Sequence, residues 1–162
     1  MRRKDREITD FAEIKAILDK SKVLRIALNN GDFPYVIPVN FGYYCYDSQL
    51  TLFFHGATEG AKHAVIRNDN RVTFEVDCSH DLILPSGKEG CTASFAYESV
   101  IGQGYIEKAS EEEKEHLLIL LLQHYGIDTC TFRPTTLQNT VVYKINVSSY
   151  TAKRFSAQSK SN

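Results

Sequence analysis

The order of hydrophobic and polar positions predicts a chain built mostly from β-strands. From residue 23 onward, apolar runs alternate with short turns rich in Asn, Asp, Gly and Ser, which is typical of consecutive antiparallel strands. The predicted strands are 23–28, 35–44, 50–54, 71–76, 93–106 and 140–147. Most connections are too short for the crossovers that parallel strands require. The pattern therefore predicts a mainly β protein with a six-stranded antiparallel barrel, in which Gly102 and Gly104 mark a bulge or bend.

Helical periodicity occurs in three further segments, 10–21, 61–66 and 110–125. Ser110 and Glu113 have the spacing of a capping box that opens the longest segment, and Gly126 ends it. Asp10 and Glu13 give a similar start to the first segment. We expect these helices to pack outside the barrel.

Length and composition fit one globular domain. The 162 residues are 43% hydrophobic and 24% charged, which is ordinary for a chain with a packed core. We expect one domain over residues 1–155, a loop at 81–90, and a disordered tail at 156–162. The formal net charge is −1, and the only cationic cluster is Arg2-Arg3-Lys4. A nucleic-acid-binding barrel is therefore a minor alternative.

Targeting, redox and metal signals point to a cytoplasmic protein without a metal. No apolar run approaches the roughly 20 residues of a membrane helix, and no signal-peptide pattern follows the charged start. The cysteines lack a CxxC pair, so we expect them to be reduced and packed: Cys45, Cys78, Cys91 and Cys130. The histidines form no HExxH motif, and His116 and His124 are predicted to be surface residues.

Catalytic signatures of other enzyme classes are weak in this chain. Cys91 and Ser99 are conceivable nucleophiles, but no GxSxG elbow or family-specific cysteine signature surrounds them. Gly102-Gln103-Gly104 resembles part of a dinucleotide fingerprint, yet it lies inside a predicted strand and opens no helix. Neither feature defines an active site.

Lys62 and His63 lie at a predicted helix start, a position that normally disfavours cations. Lys62 and His63 follow the turn at 55–60 and fall in the first turn of the predicted helix, beside the positive end of its dipole. Backbone amides after Gly56 and Gly60, reinforced by a lysine ammonium, would suit a phosphate. Alternatively, Glu59 neutralises the helix end and both cations are solvated.

A proline in the strand 35–44 gives a second indication of a ligand. Pro38 cannot donate to a sheet ladder, so it marks an edge or bulged position with free neighbouring backbone groups. A flat heteroaromatic ring needs such groups at its polar edge and an apolar slot for its faces. Candidates to line the slot are Val36, Val39, Phe41 and Phe54, although they also fit an ordinary core.

Three motifs in this order resemble those of a known family: YVIPVNFGY at 35–43, LTLFFHGATEGAKHAVIRNDNRVTFEVD at 50–77, and SFAYESVIGQGYIE at 94–107. Together they resemble the pyridoxamine 5'-phosphate oxidase-like split-barrel flavoproteins, and most closely their nitroimidazole-resistance group. The similarity runs from about residue 1, where MRRKDREI is typical of the group, to about residue 155. The resemblance implies a split barrel that forms a homodimer with FMN at the subunit interface.

The resemblance also implies which residues contact FMN. Those expected at the ring are Val36, Ile37, Pro38, Val39 and Asn40, and Phe54 joins them as a cofactor-binding candidate from the apolar slot described above. Those expected at the phosphate end are His55, Gly56, Ala57, Lys62 and, less directly, His63, while Tyr97 and Ser99 would complete the pocket.

The catalytic candidate implied by the resemblance is His55, in the FHGA segment. Its alternative role is to donate a hydrogen bond to phosphate or backbone, which we favour because the flavin itself performs the hydride chemistry. The chain lacks tryptophan and the Arg-rich carboxy-terminal motif of pyridoxamine phosphate oxidase proper, which argues against vitamin B6 synthesis. We expect an FMN-dependent oxidoreductase with weak nitroreductase activity, or a module that stores or senses flavin or haem.

Overall fold

The computed structural model describes residues 3–47, 49–85, 87 and 89–156. Within them the strands are β1 (Glu7–Ile8), β2 (Leu24–Leu28), β3 (Tyr35–Val39), β4 (Phe41–Tyr46), β5 (Gln49–Ala57), β6 (Arg71–Cys78), β7 (Leu82–Ile83), β8 (Ser94–Phe95), β9 (Tyr97–Lys108) and β10 (Thr140–Phe155). The helices are α1 (Phe11–Lys20), α2 (Ala61–Asn68), α3 (Glu111–His124) and α4 (Pro134–Gln138), with short 3-10 turns at Lys4–Arg6 and Gly90–Thr92.

The main sheet is antiparallel and follows the order β3-β2-β6-β9-β10-β5-β4, with β1 added on β10. Only Asn40 separates β3 at one end of this order from β4 at the other, so one continuous segment joins both ends of the sheet. Counting β3 and β4 as one strand, the wall has six strands, which confirms the predicted antiparallel barrel. The predicted single strand 35–44 differs in one respect, because its two halves pair with different neighbours.

The strand registers show how strongly the barrel is staggered. When paired residues are followed from strand to strand, Val39 on β3 aligns through β2 and β6 with Val100 on β9. Phe41 on β4 aligns through β5 and β10 with Lys108 on the same strand β9. Two positions on the closing segment therefore correspond to positions eight residues apart on β9. Such a stagger accompanies the tilt of strands in a closed barrel.

Alternating side chains fill the barrel. On β2, Leu24, Ile26 and Leu28 point inward, and on β6 the inward residues are Val72, Phe74 and Val76. A second apolar cluster lies outside the wall, where α3 covers β4 and β5. The prediction that helices pack outside the barrel is confirmed for α3.

The helix ends follow the local signals in the sequence. The Asp10 carboxylate accepts from the N–H groups of Ala12 and Glu13, and Ser110 with Glu113 forms the predicted capping box. After α3, Gly126 adopts φ +81°, a left-handed conformation that glycine takes without a Cβ clash.

The predicted strand 93–106 is wrong at its beginning. The chain turns at Ala96, whose N–H donates to the carbonyl of Asp81 over 2.8 Å, so β8 pairs with β7 instead of joining the barrel. Part of the predicted loop 81–90 is thus the short strand β7.

The irregularity predicted at Gly102 and Gly104 lies on the partner strand. The register shifts between Val147 and Ser149 of β10, opposite these glycines. A Cβ at Gly102 would lie 2.7 Å from the Ser149 carbonyl oxygen, so the close approach of two backbones explains the glycine.

Among the predicted elements, the last strand differs most in length from the observed one. The strand predicted at 140–147 continues to Phe155, and the helix α4 was not predicted. Residues 157–162 of the predicted tail lie outside the described part of the chain. The single-domain boundary stays a prediction.

Several predicted surface and redox features look different in the fold. Cys45, Cys78 and Cys130 are unpaired thiols, Cys45 is exposed rather than packed, and the Cys91 side chain lies outside the described part. His124 is half-buried rather than a surface residue, since its Nε2 bonds to the Ser21 carbonyl and its ring packs on Phe41. In the described residues, no helix is long and apolar enough to cross a membrane, and no group of three or more His, Cys, Asp or Glu could hold a metal.

Candidate functional site

The end of β5 and its connection to α2, residues 55–60 and here called the β5–α2 turn, present free backbone donors. Residues 55–57 of the predicted turn are the last residues of the strand, so the connection itself is 58–60. No hydrogen-bond partner exists among the described residues for the backbone N–H groups of residues 58–62. Gly60 precedes the helix with φ +129°, no side chain caps the helix, and its first turn contains no acid. Unpaired N–H groups and the helix dipole are the features that can attract an anion to a helix start, so this turn is a candidate anion site.

Lys62 reinforces the positive charge at this turn. An ideal Cβ at Gly56 would lie 2.9 Å from Lys62 Nζ and 2.7 Å from Lys62 Cε, so the lysine folds directly over the glycine. No carboxylate of the described residues forms an ion pair with Lys62, and Glu59 is exposed without one. This arrangement favours the anion interpretation of the cation pattern over neutralisation by Glu59.

His63 has a different position from Lys62, its neighbour in sequence. The His63 ring is buried; Nε2 lies 2.9 Å from the Ala57 carbonyl oxygen and Nδ1 lies 2.6 Å from the Tyr143 hydroxyl. Both ring nitrogens are thus engaged by the protein. This geometry argues against direct contact between His63 and a phosphate.

His55 lies on the exposed side of the same strand end. Its side chain forms no hydrogen bond with the described residues, and its backbone is paired with Val142 on β10. Partial burial lowers the pKa of His55 below its ordinary value. At neutral pH the ring is therefore uncharged and can donate or accept one hydrogen bond per nitrogen.

The predicted ring-binding segment forms a free edge of the barrel wall. β3 pairs with β2 alone, and Val36, Pro38 and Asn40 are exposed while Ile37 and Val39 pack partly against the core. Pro38 is therefore at an edge, as predicted. The backbone groups on the unpaired side of this strand are available to a ligand.

The edge strand and the β5–α2 turn meet at one end of a ladder. Phe41, directly after Asn40, pairs with Phe54, directly before His55. The structure thus brings Asn40 close to the turn. The side chain of Phe54, however, is fully buried and stacked on Tyr143 with 5.5 Å between ring centroids, so it belongs to the core rather than to a ligand slot.

Tyr97 and Ser99 are not brought to this site within one chain. Their strand β9 is three places from β3 in the sheet order, which puts it on the opposite wall of a six-stranded barrel. Ser99 pairs there with Asp77 and Lys153. The Tyr97 hydroxyl accepts from Arg6 Nη1 over 3.3 Å.

Between Tyr97 and Ser99 lies a charged cluster with internal partners, here called the Glu98 cluster: Glu98, Lys20, Ser79 and Arg154. The buried Glu98 carboxylate accepts from Lys20 Nζ at 2.8 Å, Ser79 Oγ at 2.8 Å and Arg154 Nε at 2.6 Å. Burial by itself would raise the pKa of Glu98, but these donors outweigh it and lower the pKa to about 2.

The fold is an antiparallel split barrel, and its candidate anion site lies between the end of β5 and the start of α2. The sequence profile of the pyridoxamine 5'-phosphate oxidase family matches residues 10–154. The chain therefore belongs to this family, as the three motifs predicted. No curated protein matched the sequence.

Solved structures agree with this assignment. A protein from Bacteroides thetaiotaomicron, designated a 5-nitroimidazole antibiotic resistance protein, is 29% identical, with 92% of this chain and 86% of that chain covered and a TM-score of 0.77. An FAD and haem binding protein from Mycobacterium smegmatis is 17% identical, with coverage of 92% and 73% and a TM-score of 0.77. A flavocytochrome from Azotobacter vinelandii is 16% identical, with coverage of 96% and 72% and a TM-score of 0.76. The first similarity confirms the predicted resemblance to the nitroimidazole-resistance group.

Proposed function

We propose that this protein binds FMN and acts as an oxidoreductase on a small oxidised substrate. The observation that carries the proposal is Lys62, a cation without an acid partner in the described residues, folded over Gly56 at an uncapped helix start. A phosphate monoester supplies the charge and the acceptors that this turn lacks. When bound, FMN supplies the hydride chemistry, and the protein binds and orients it.

The residues at the turn and the edge strand fit the two ends of FMN. Gly56, Ala57 and Lys62 would hold the phosphate with the free backbone N–H groups of the turn. The edge from Val36 to Asn40 would meet the polar rim of the isoalloxazine. His55 is exposed and unpartnered in the described structure, and we assign it a hydrogen bond to the cofactor rather than proton transfer.

A homodimer would complete the pocket. The outer face of the sheet carries the paired row Val36, Ala27, Thr73, Gln103 and Ser149. Beside it, Ile101 and Tyr105 are 47% and 51% exposed. A second copy on this face would cover these apolar side chains and bring its own β9, with Tyr97 and Ser99, towards the β3 edge.

We propose nitroaromatic compounds as the substrate class, reduced slowly. The proposal draws on the similarity to the Bacteroides thetaiotaomicron protein. The alternative is flavin or haem binding without turnover, and the observation that favours it is the exposed His55 imidazole, a side chain able to ligate haem iron.

The first experiment is an absorbance spectrum of the purified protein, with chromatography of any released chromophore. Flavin bands with equimolar FMN support the proposal, whereas a Soret band supports the haem alternative. A colourless protein that also fails to bind added FMN would remove the oxidoreductase. Reduction of bound flavin by NAD(P)H and its reoxidation by a nitroimidazole would separate turnover from storage.

A further inference from the structure

His63 and Tyr143 lie directly beneath the β5–α2 turn and have no role in the function proposed above. The Ala57 carbonyl can only accept a hydrogen bond, so His63 donates to it from Nε2, and we assign the ring the Nε2–H tautomer. His63 Nδ1 then accepts from the Tyr143 hydroxyl, 2.6 Å away. The three groups form one directed chain from β10 to the turn.

Tyr143 provides a rigid anchor for this chain. It pairs with Phe54 across the β5–β10 ladder and stacks on the Phe54 ring, and only 7% of its surface is exposed. Burial raises the pKa of Tyr143, so the hydroxyl keeps its proton and remains a donor.

The bond from His63 determines which way a peptide group of the turn faces. In a trans peptide the C=O and N–H point in opposite directions. Because the Ala57 carbonyl faces the buried His63 ring, the N–H of Thr58 faces away from it, and this N–H has no partner among the described residues. The structure thus aims one of the free donors of the turn outward.

We propose that His63 and Tyr143 are positioning residues, which hold the peptide between Ala57 and Thr58 so that its N–H serves the anion bound at the turn. This inference rests on the proposed binding of FMN. It assigns the adjacent residues Lys62 and His63 to different tasks, since Lys62 meets the anion and His63 shapes the backbone that receives it.

The test compares FMN with riboflavin, which lacks the phosphate, by titrating the apoprotein with each flavin and following flavin fluorescence. His63→Leu removes both hydrogen bonds. Tyr143→Phe removes only the hydroxyl and keeps the stacked ring. His63→Gln keeps a side-chain N–H that can donate to the Ala57 carbonyl. His124→Leu is the matched control, because it loses an equally long bond of 2.9 Å from a histidine Nε2 to a carbonyl, that of Ser21.

We expect His63→Leu to raise the Kd for FMN about tenfold and Tyr143→Phe about threefold, with the Kd for riboflavin within about twofold of wild type. His63→Gln should recover part of the loss, and His124→Leu should leave the ratio of the two Kd values unchanged. A selective effect on the phosphate-bearing ligand is not expected from general destabilisation.

Two results would overturn the inference. In the first, His63→Leu and Tyr143→Phe leave the ratio of the Kd values for FMN and riboflavin unchanged, while Lys62→Met alters it. This result would support FMN binding and contradict the positioning role of His63 and Tyr143. In the second, the wild-type protein binds neither flavin, and the proposed function falls together with the inference. If His63→Leu does not fold, the Tyr143→Phe result decides, since that variant keeps the ring in the core.

Discussion

The Glu98 cluster and the β5–α2 turn are two charged regions that the same fold treats in opposite ways. At Glu98 the carboxylate is buried and accepts hydrogen bonds from Lys20, Ser79 and Arg154. At the turn, Lys62 has no acid partner in the described structure, and the N–H groups of residues 58–62 are free. The charges of the first region are paired within the chain, whereas the donors of the second have no partner in the described structure.

The difference distinguishes charges that stabilise the fold from charges that we propose to bind a ligand. A buried carboxylate needs internal donors because its desolvation is otherwise costly, and removing them leaves an uncompensated charge. A ligand site needs the reverse, donors fixed in place by the fold and left unpaired until the ligand arrives. Variants in the Glu98 cluster should therefore change stability, and variants at the turn should change ligand affinity.

Glu98→Gln should have the largest effect on stability. Removing the charge leaves Lys20 and Arg154 without their buried partner and should lower the free energy of unfolding by about 3 kcal/mol at pH 7. Urea unfolding measures this change. Glu13→Gln is the control, since this exposed residue also bonds to Arg154, at 2.9 Å, and should cost less than about 1 kcal/mol. A larger loss in Glu13→Gln than in Glu98→Gln would contradict the comparison.

The contribution of Glu98 should also depend on pH. Its pKa falls from the ordinary value of 4.5 to about 2 on folding, so the stabilisation is present above pH 4.5 and disappears as the pH falls towards 2. The stability difference between wild type and Glu98→Gln should therefore narrow over this range. Urea unfolding at pH 7, 4 and 3 tests it, and a constant difference would rule out Glu98 as the titrating group.

Lys62→Met should change ligand affinity and leave stability unchanged, the opposite of the effect expected for Glu98→Gln. Losing a charged hydrogen bond to phosphate should raise the Kd for FMN about thirtyfold, while thermal stability of the apoprotein stays unchanged because Lys62 has no partner there. Flavin titration and a thermal melt measure the two quantities. Lys4→Met, an exposed lysine elsewhere, should leave both as in wild type. A large drop in melting temperature for Lys62→Met would show a structural role instead.

Gly56→Ala should disturb the same cation indirectly. The new Cβ would meet the flexible end of Lys62, so the ammonium moves while the backbone remains, and the Kd for FMN should rise about fivefold with little change in stability. Gly102→Ala is the contrasting variant, because its Cβ meets the Ser149 carbonyl and should destabilise the fold by about 2 kcal/mol. Equal destabilisation by both variants would show that Gly56 is also a packing position.

His55→Ala should have the smallest effect. Losing one hydrogen bond from a neutral ring should raise the Kd for FMN about threefold and leave the reactivity of bound flavin unchanged. Because burial lowers the pKa of His55, its NMR titration in the apoprotein should have a midpoint below 6.5. Normal FMN affinity with lost turnover would assign the catalytic role to His55 after all.

The sequence by itself determined the features that depend on near neighbours along the chain. Alternation predicted the strands of the barrel, and the spacing of Ser110 and Glu113 predicted the start of α3. The charge of Lys62 at a helix start suggested an anion as one of two interpretations, which stays a prediction. These signals are readable because periodicity, capping and the helix dipole act over a few residues.

Only the tertiary structure decided which way the ambiguous residues face. His63 follows Lys62 by one position, yet it points to Tyr143, eighty residues further along the chain. The apolar run 35–44 is divided at Asn40, so that β3 pairs with β2 and β4 pairs with β5. The chain turns at Ala96, so β8 is not part of the barrel. Such outcomes depend on the register of strands far apart in sequence and on partners such as Tyr143, to which no local pattern drew attention.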